Sequence, residues 1–309
     1  MMEQNNLTYH NPVLLQQSVE GLNIKPNGIY VDVTFGGGGH SREIIKQLSS
    51  GKLIGFDQDP DALENSIDDE RFLLIQHNFK FLANFLNFNN INEVDGILAD
   101  LGVSSHQFDV PERGFSIRFK GPLDLRMDVR KPKTAADIVN SYDEEQLANV
   151  LYQYGELKES RKLARTICNY RTSKPIETIE ELLQLLNKQA PRGKENSFFA
   201  RIFQALRIEV NEEVEALKSM LIQAEKLLKP GGRLVVISYH SIEDRLVKNF
   251  FKTGNFEGIL HKDIFGNQLN PFVNITRKPV IPSDEEININ NRARSAKMRI
   301  AEKKEKNEK

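Results

Sequence analysis

The sequence is short of the residues that several protein classes require. Its 309 residues hold one cysteine, Cys168, and no tryptophan. A single thiol excludes an intrachain disulfide and any zinc site built from clustered cysteines, which suits a reducing compartment. No apolar run approaches the roughly 18 residues of a membrane-spanning helix, and the opening Met-Met-Glu-Gln-Asn-Asn lacks the basic and apolar regions of a signal peptide. A cytoplasmic location is the expectation. Neither charge is in excess: 42 Lys and Arg stand against 43 Asp and Glu, for a formal net charge of −1. A uniformly basic nucleic-acid coat is therefore excluded, whereas local basic patches are not. With 39% hydrophobic and 28% charged residues, the chain has the composition of one that buries a core. At roughly 100–200 residues per domain, the length allows one large domain or a medium one carrying an insertion.

What is present has a clear rhythm. Four short apolar runs, Ile29-Tyr30-Val31-Asp32-Val33, Leu53-Ile54-Gly55-Phe56-Asp57, Phe72-Leu73-Leu74-Ile75 and Gly96-Ile97-Leu98-Ala99-Asp100, are nearly continuous in hydrophobicity. That is the pattern of parallel strands covered on both faces, with residues 41–49, 61–67 and 79–88 as connecting helices. The first hundred residues thus predict half of a doubly wound α/β sheet. After Asp100 no comparable strand appears for about 130 residues, and amphipathic patterns at 143–154, 158–171 and 176–189 predict a helical insertion. Phe203, Leu206, Val210, Val214, Leu217, Leu221, Ala224 and Leu228 then form one apolar helical stripe, read as core packing, that ends at Lys229-Pro230-Gly231-Gly232. The sheet resumes at Arg233-Leu234-Val235-Val236-Ile237-Ser238-Tyr239. The expected division is residues 1–105 with 206–290 as one discontinuous domain, 106–205 as the insertion, and 291–309 as a basic tail. From Arg292 onward the chain holds eight Lys or Arg against three Glu, and its final ten residues are expected to fray.

Three segments bear chemistry. Phe35-Gly36-Gly37-Gly38-Gly39-His40-Ser41 lies between the first strand and first helix, where backbone can approach a ligand and free N–H groups face it. It is not a P-loop, because Gly39 precedes His40 and not Lys, and Ser41 stands where a dinucleotide fingerprint would put its third glycine. Asp57 closes the second strand about 20 residues past the loop, where an acid accepts both ribose hydroxyls of an adenosine. That placement suits NAD and S-adenosylmethionine equally. Asp100-Leu101-Gly102-Val103-Ser104-Ser105 ends the fourth strand on the ligand side of an open sheet, so Asp100, Ser104 and Ser105 are expected to border cofactor and substrate. His240-Ser241-Ile242-Glu243-Asp244-Arg245 occupies the same rim, with Ser241 as the expected helix cap. The other histidines are scattered, so no metal centre is expected.

These segments, with His10-Asn11-Pro12-Val13-Leu14-Leu15, Glu112-Arg113-Gly114-Phe115-Ser116, Gly121-Pro122-Leu123-Asp124-Leu125-Arg126-Met127-Asp128, Tyr154-Gly155-Glu156, Phe203-Gln204-Ala205-Leu206-Arg207-Ile208 and Arg292-Ala293-Arg294-Ser295-Ala296-Lys297, resemble the RsmH (MraW) family over almost the whole chain. The resemblance implies a class I, Rossmann-like, S-adenosylmethionine-dependent methyltransferase fold with an inserted helical domain. It implies methylation of the exocyclic N4 of a decoding-centre cytidine in 16S rRNA, within the small ribosomal subunit or a late precursor, with no membrane involved and with room for a homodimer. Carried onto matching positions, cofactor contacts fall on Gly38, Gly39, His40, Asp57, Phe79, Asp100 and Gln107. Three departures stand out: Gln17 where the family usually has Glu, Asn291 in place of Pro, and Ser197-Phe198-Phe199-Ala200-Arg201 in place of His-Pro-Ala-x-Arg.

A cytosine amine is a poor nucleophile because its lone pair is delocalised into the ring. Methyl transfer to it needs alignment and an acceptor for the departing proton, and the base must leave its stack. Asp100, Ser104, Ser105 and His240 are the expected catalytic and base-holding groups. Arg113, Arg118, Lys120, Arg126, Arg130 and Lys131, interleaved with Phe115 and Phe119, are expected to grip phosphates and stack bases, together with Arg292 and Arg294.

Overall fold

The computed structural model describes residues 12–305. His10 and Asn11 of the first family motif, and residues 306–309 of the expected tail, lie outside the described residues. The chain divides into two compact units, Met1–Gly102 with Glu215–Lys309, and Val103–Val214.

The first unit is an α/β unit. Helix α1 (Leu15–Gly21) precedes β1 (Ile29–Asp32), α2 (Gly39–Lys46), β2 (Lys52–Asp57), β3 (Phe72–Gln76), α3 (Leu82–Phe88) and β4 (Val94–Asp100). The connection expected to be helical at 61–67 is a 3-10 turn, Pro60–Asn65, capped by Asp59. Alternate residues of each strand go to opposite cores, as period-two geometry requires. Val31, Ile54, Phe56, Ile97 and Ala99 pack with Leu82 and Leu86 of α3, while Tyr30, Leu53 and Leu98 pack with Val19 of α1 and Ile44 and Ile45 of α2. Both faces are covered, which is why the strands read as continuous apolar runs.

The second unit is helical: α4 (Ser105–Asp109), α5 (Ala135–Ser141), α6 (Glu144–Gln153), α7 (Ser160–Arg171), α8 (Ile179–Leu186) and α9 (Glu195–Asn211). Reciprocal side-chain caps start α6 at Asp143 and Gln146, and α8 at Thr178 and Glu181. Its core gathers Leu147, Leu151, Leu163, Ile167, Leu182, Ile202 and Leu206. The insertion thus runs past residue 205 to Val214, because all of α9 packs into this core.

The single apolar stripe expected from Phe203 to Leu228 is two helices. Helix α10 (Glu213–Leu227) begins after Glu212, a left-handed residue with φ 54°. Phe203, Leu206 and Val210 belong to the core of the helical unit, and Leu217, Leu221, Ala224 and Leu228 to that of the sheet unit. One periodicity serves two cores, and the break at Glu212 separates them.

Strand β5 (Leu228–Ser238) follows, and the expected breaker 229–232 is an irregularity inside it, where Leu228 pairs with Val94 but Arg233 with Gly96. After α11 (Ser241–Thr253) come β6 (Phe272–Asn274), α12 (Asp284–Ile289) and β7 (Lys297–Lys303). The segment expected as a basic tail, 291–309, instead contributes a strand to the sheet. Residues 297–303 form an inner strand, antiparallel to both β5 and β6, with Met298, Ile300 and Ala301 buried. Alternation of apolar residues with Lys297, Arg299 and Glu302 hides a strand inside a charged segment. The sheet order is β3-β2-β1-β4-β5-β7-β6, parallel except for β7 against its two neighbours. This is the class I methyltransferase arrangement expected above. Among the described residues no helix is long and apolar enough to cross a membrane.

Candidate active site

The sheet delivers four segments to one rim, the carboxyl ends of β1, β2, β4 and β5. The glycine loop follows β1 and is pinned from both sides. Gly36 N–H donates to Asp57 Oδ2 at 2.7 Å, and Asp57 Oδ1 accepts from the Asp59 N–H at 2.8 Å. Gly38 sits in the left-handed region at φ 73°, and a Cβ there would lie 2.8 Å from the Phe35 ring. A Cβ on Gly39 would lie 2.1 Å from Pro12 Cγ. Both positions therefore require glycine on steric grounds internal to the protein. His40 is buried, its Nε2 3.1 Å from the Val13 carbonyl, so the ring donates from Nε2 and leaves Nδ1 unprotonated. Burial holds the imidazole below its ordinary pKa, although Asp100 opposes the shift.

A polar chain then crosses the strands. Asp32, fully buried at the end of β1, accepts from Ser41 Oγ at 2.7 Å and from Thr34 N–H at 3.1 Å. Thr34 Oγ1 accepts the Asp100 N–H at 2.7 Å. The Asp100 carboxylate receives the Tyr239 hydroxyl on Oδ1 at 2.8 Å, while its Oδ2 lies 3.9 Å from His40 Nδ1. Ser41 is thus a partner of Asp32, and Gly38 is the residue at the N-cap of α2. Among the described residues, neither Asp32 nor Asp57 pairs with a lysine or arginine. The consequence is electrostatic. Burial, with Asp59 and Asp32 adding, pushes Asp57 up to about 6. Burial, offset by His40 and Tyr239 and reinforced by Asp32 and Glu243, pushes Asp100 up to about 6.

Phe79 opens a 3-10 turn at the end of β3, and Asn78 caps that turn while donating to Gln58 Oε1 at 2.7 Å. Phe79 is half-buried beside the core. His240, not Ser241, caps α11: its Nδ1 accepts the Glu243 N–H, and Glu243 Oε2 accepts the Tyr239 N–H at 2.9 Å. A cavity of about 240 Å³ opens beside this turn, lined among others by Tyr239, His240, Ile281, Ile287, Arg294 and Lys297. Arg292 and Arg294 are both exposed.

The remaining expected residues belong to the helical unit. Ser104 and Gln107 form a reciprocal cap at the start of α4, with Gln107 buried and Ser105 the first helical residue. Two expected RNA contacts are corrected. Arg113 is buried, its guanidinium donating to the Arg126 and Met127 carbonyls, and Phe115 is packed in the core, so neither offers a surface to phosphate or base. Arg126 is committed too: it grips Asp124 with two hydrogen bonds and donates to the Val129 and Lys131 carbonyls. Arg130 pairs with Asp128 but is half exposed, Lys131 is partly exposed, and Arg118, Phe119 and Lys120 face solvent. Sequence reasoning missed Tyr239, Thr34 and Asp32. Their adjacency to His240 and to the glycine loop was the only signal available.

The family model described as the MraW methylase family matches residues 7–304. The chain is 58% identical over 304 residues to the ribosomal RNA small subunit methyltransferase H of Bacteroides fragilis, covering 98% of this chain and 100% of that protein. The proteins of the same name from Flavobacterium johnsoniae and Cytophaga hutchinsonii are 58% and 57% identical, each over 96% of this chain and over 98% and 99% of their own lengths.

Proposed function

The chain belongs to the MraW methylase family, and from that premise we propose that it methylates the exocyclic N4 of a decoding-centre cytidine in 16S rRNA of the small ribosomal subunit, with S-adenosylmethionine as methyl donor. The observation that carries this reading is the acidic rim. Asp32, Asp57 and Asp100 end three adjacent strands and are held by neutral donors, burial raises the pKa of all three, and Asp32 raises those of Asp57 and Asp100 further. A crevice with such a field favours a ligand of net positive charge. S-adenosylmethionine, with a sulfonium and an ammonium against one carboxylate, is such a ligand. NAD, with its pyrophosphate, is not, and this separates two cofactors that loop spacing left equal.

Gly38, Gly39 and His40 on the loop, with Asp57, Phe79 and Asp100, would hold the cofactor. When bound, it supplies the methyl carbon, whose bond to sulfur breaks as the bond to the amine nitrogen forms, leaving a proton for the surroundings to take. Asp57 keeps lone pairs beyond those engaged by Gly36 and Asp59, and these accept ribose hydroxyls. Asp100 faces the reacting end: its backbone is tied to Thr34 and one carboxylate oxygen to Tyr239, so it enters the reaction without reorganising. Neutral His40 braces the loop through Val13. The cavity beside α11 offers an RNA strand an apolar wall at Ile281 and Ile287 and two cations, Arg294 and Lys297. Ser104, Ser105 and Gln107 are carried by the family likeness alone.

The test is incubation of the protein with methyl-labelled S-adenosylmethionine and unmodified small subunits, followed by mapping of the labelled nucleotide. Label on the N4 of one decoding-centre cytidine is the expected result. Label on another atom or another RNA overturns the assignment.

A further inference from the structure

Tyr239 is the first residue beyond β5, and its position is set by its own backbone, whose N–H donates to Glu243 Oε2 at 2.9 Å. The side chain has two neighbours of different kind. The residue is part of the lining of the 240 Å³ cavity, and its hydroxyl donates to Asp100 Oδ1 at 2.8 Å. Phenylalanine would fill the same volume without carrying a buried hydroxyl, so the oxygen needs a reason in its partner. Asp100 supplies one. Its Oδ1 is taken by the phenol, its N–H by Thr34, and its Oδ2 stands 3.9 Å from His40 Nδ1, a nitrogen left unprotonated because Nε2 is the donor to Val13. One carboxylate oxygen is therefore held, and the other has no donor among the described residues.

We propose that Tyr239 is a positioning residue for methyl transfer: by occupying Oδ1 of Asp100 it fixes the carboxylate plane and reserves Oδ2 as the acceptor for the amine to be methylated. The inference rests on the reaction proposed above and adds to it the group that aims Asp100. The charged and titratable groups facing Asp100 are His40 on α2, Asp32 on β1 and Glu243 on α11, and those facing Tyr239 are Asp100, Glu243 and Glu286 on α12. Burial, then Asp100, drives the phenol well above its ordinary value, so it stays a donor throughout the working pH range. The bond opposes the upward push of burial on Asp100. Removing the donor must then raise the Asp100 pKa further.

The experiment compares Tyr239→Phe with wild type. In the cofactor-free protein, ¹³C NMR titration of the Asp100 carboxyl should move up by about one unit. Cofactor affinity by calorimetry should stay within threefold. Turnover on small subunits should fall about 10- to 100-fold, with the acid limb of its pH profile displaced upward by the same shift as the titration. In an Asp100→Asn background, Tyr239→Phe should cost nothing more, because the two residues act as one unit. Incorporation of 3-fluorotyrosine at position 239 keeps the ring in place and sharpens the donor, so it should lower the Asp100 titration, a sign that lost packing cannot produce. An unmoved Asp100 titration, or losses that add in the double variant, overturns the proposal while leaving the methyltransferase reading intact. Absence of methyl transfer by the wild-type protein overturns both.

Discussion

Gly36 gives its backbone N–H to Asp57 Oδ2 at 2.7 Å, so the loop at the end of β1 and the acid at the end of β2 form one piece. A residue assigned to a ribose is thus also the anchor of the loop that precedes it.

Replacing that acid should therefore be felt twice. Asp57→Ala is expected to weaken S-adenosylmethionine binding by about 1.5–3 kcal/mol for each charge-assisted hydrogen bond lost, and to loosen the loop in hydrogen exchange. Gly38→Val should abolish binding by forcing a branched side chain into φ 73° against Phe35. Calorimetry on both folded variants decides the matter, and unchanged affinity would remove the loop from the cofactor site.

The acids at the rim carry a pH signature of unusual sign. Asp57 and Asp100 are pushed up to about 6, above the value of an unfolded chain, so around pH 4–6 the folded state holds protons that the unfolded state has lost. Their contribution to stability is therefore highest below pH 4 and is lost as pH rises through 6. Asp100→Asn, which keeps an acceptor for Tyr239, is expected to stabilise the cofactor-free protein at pH 7.5 by about 1–3 kcal/mol and to have little effect at pH 4. Urea unfolding at the two pH values measures this.

The same charges predict how cofactor binding responds to acid. A cationic ligand favours ionised carboxylates, so affinity for S-adenosylmethionine should fall as pH drops from 7.5 through 6, with proton release on binding at the lower pH. Calorimetry in buffers of different ionisation enthalpy detects the released protons. Affinity that rises on acidification would argue against an ionised crevice.

In the helical unit, burial separates structural from RNA-facing arginines. Arg113→Ala should destabilise the fold, because the guanidinium is buried on two carbonyls. Joint replacement of the solvent-facing Arg118 and Lys120 with Gln should leave stability unchanged and flatten the salt dependence of RNA binding by up to about 1.4 in log-log slope, at roughly 0.7 per phosphate contact. Arg126→Gln, by contrast, should loosen the loop from Asp124 to Lys131. RNA affinity across a salt series, read beside thermal unfolding, distinguishes these outcomes.

At the cavity, Arg294→Gln should lower RNA affinity with a slope change of about 0.7 and leave cofactor affinity alone. A slope equal to wild type would make this arginine a solvated charge.

Much of this was legible along the chain. Strand after strand was marked by apolar runs, and the glycine cluster, Asp57 and Asp100 sit where those runs end, because in a parallel sheet the strand terminus and the ligand rim are the same place. Strand β7 escaped notice because its buried residues alternate with Lys297, Arg299 and Glu302, a pattern easily read as charge. The stripe from Phe203 to Leu228 kept a helical period straight through Glu212, since periodicity reports which side is apolar and not which core receives it. Arg113 and Phe115 looked like an RNA grip because composition cannot tell a buried guanidinium from an exposed one.

The sequence by itself determined the five parallel strands β1 to β5, the turn that needs glycine at Gly38, and the acids at the strand ends, since these depend on local sterics and on short-range hydrophobic pattern. Only the tertiary structure decided which oxygen of Asp100 is occupied and by what. Tyr239 lies 139 residues from Asp100, and the 2.8 Å bond between them exists because β5 lies beside β4 with Asp100 opposite Ile237. Hydrogen bonds act over a few ångströms of space with no regard for separation along the chain, so such a pairing leaves no period, spacing or composition to read.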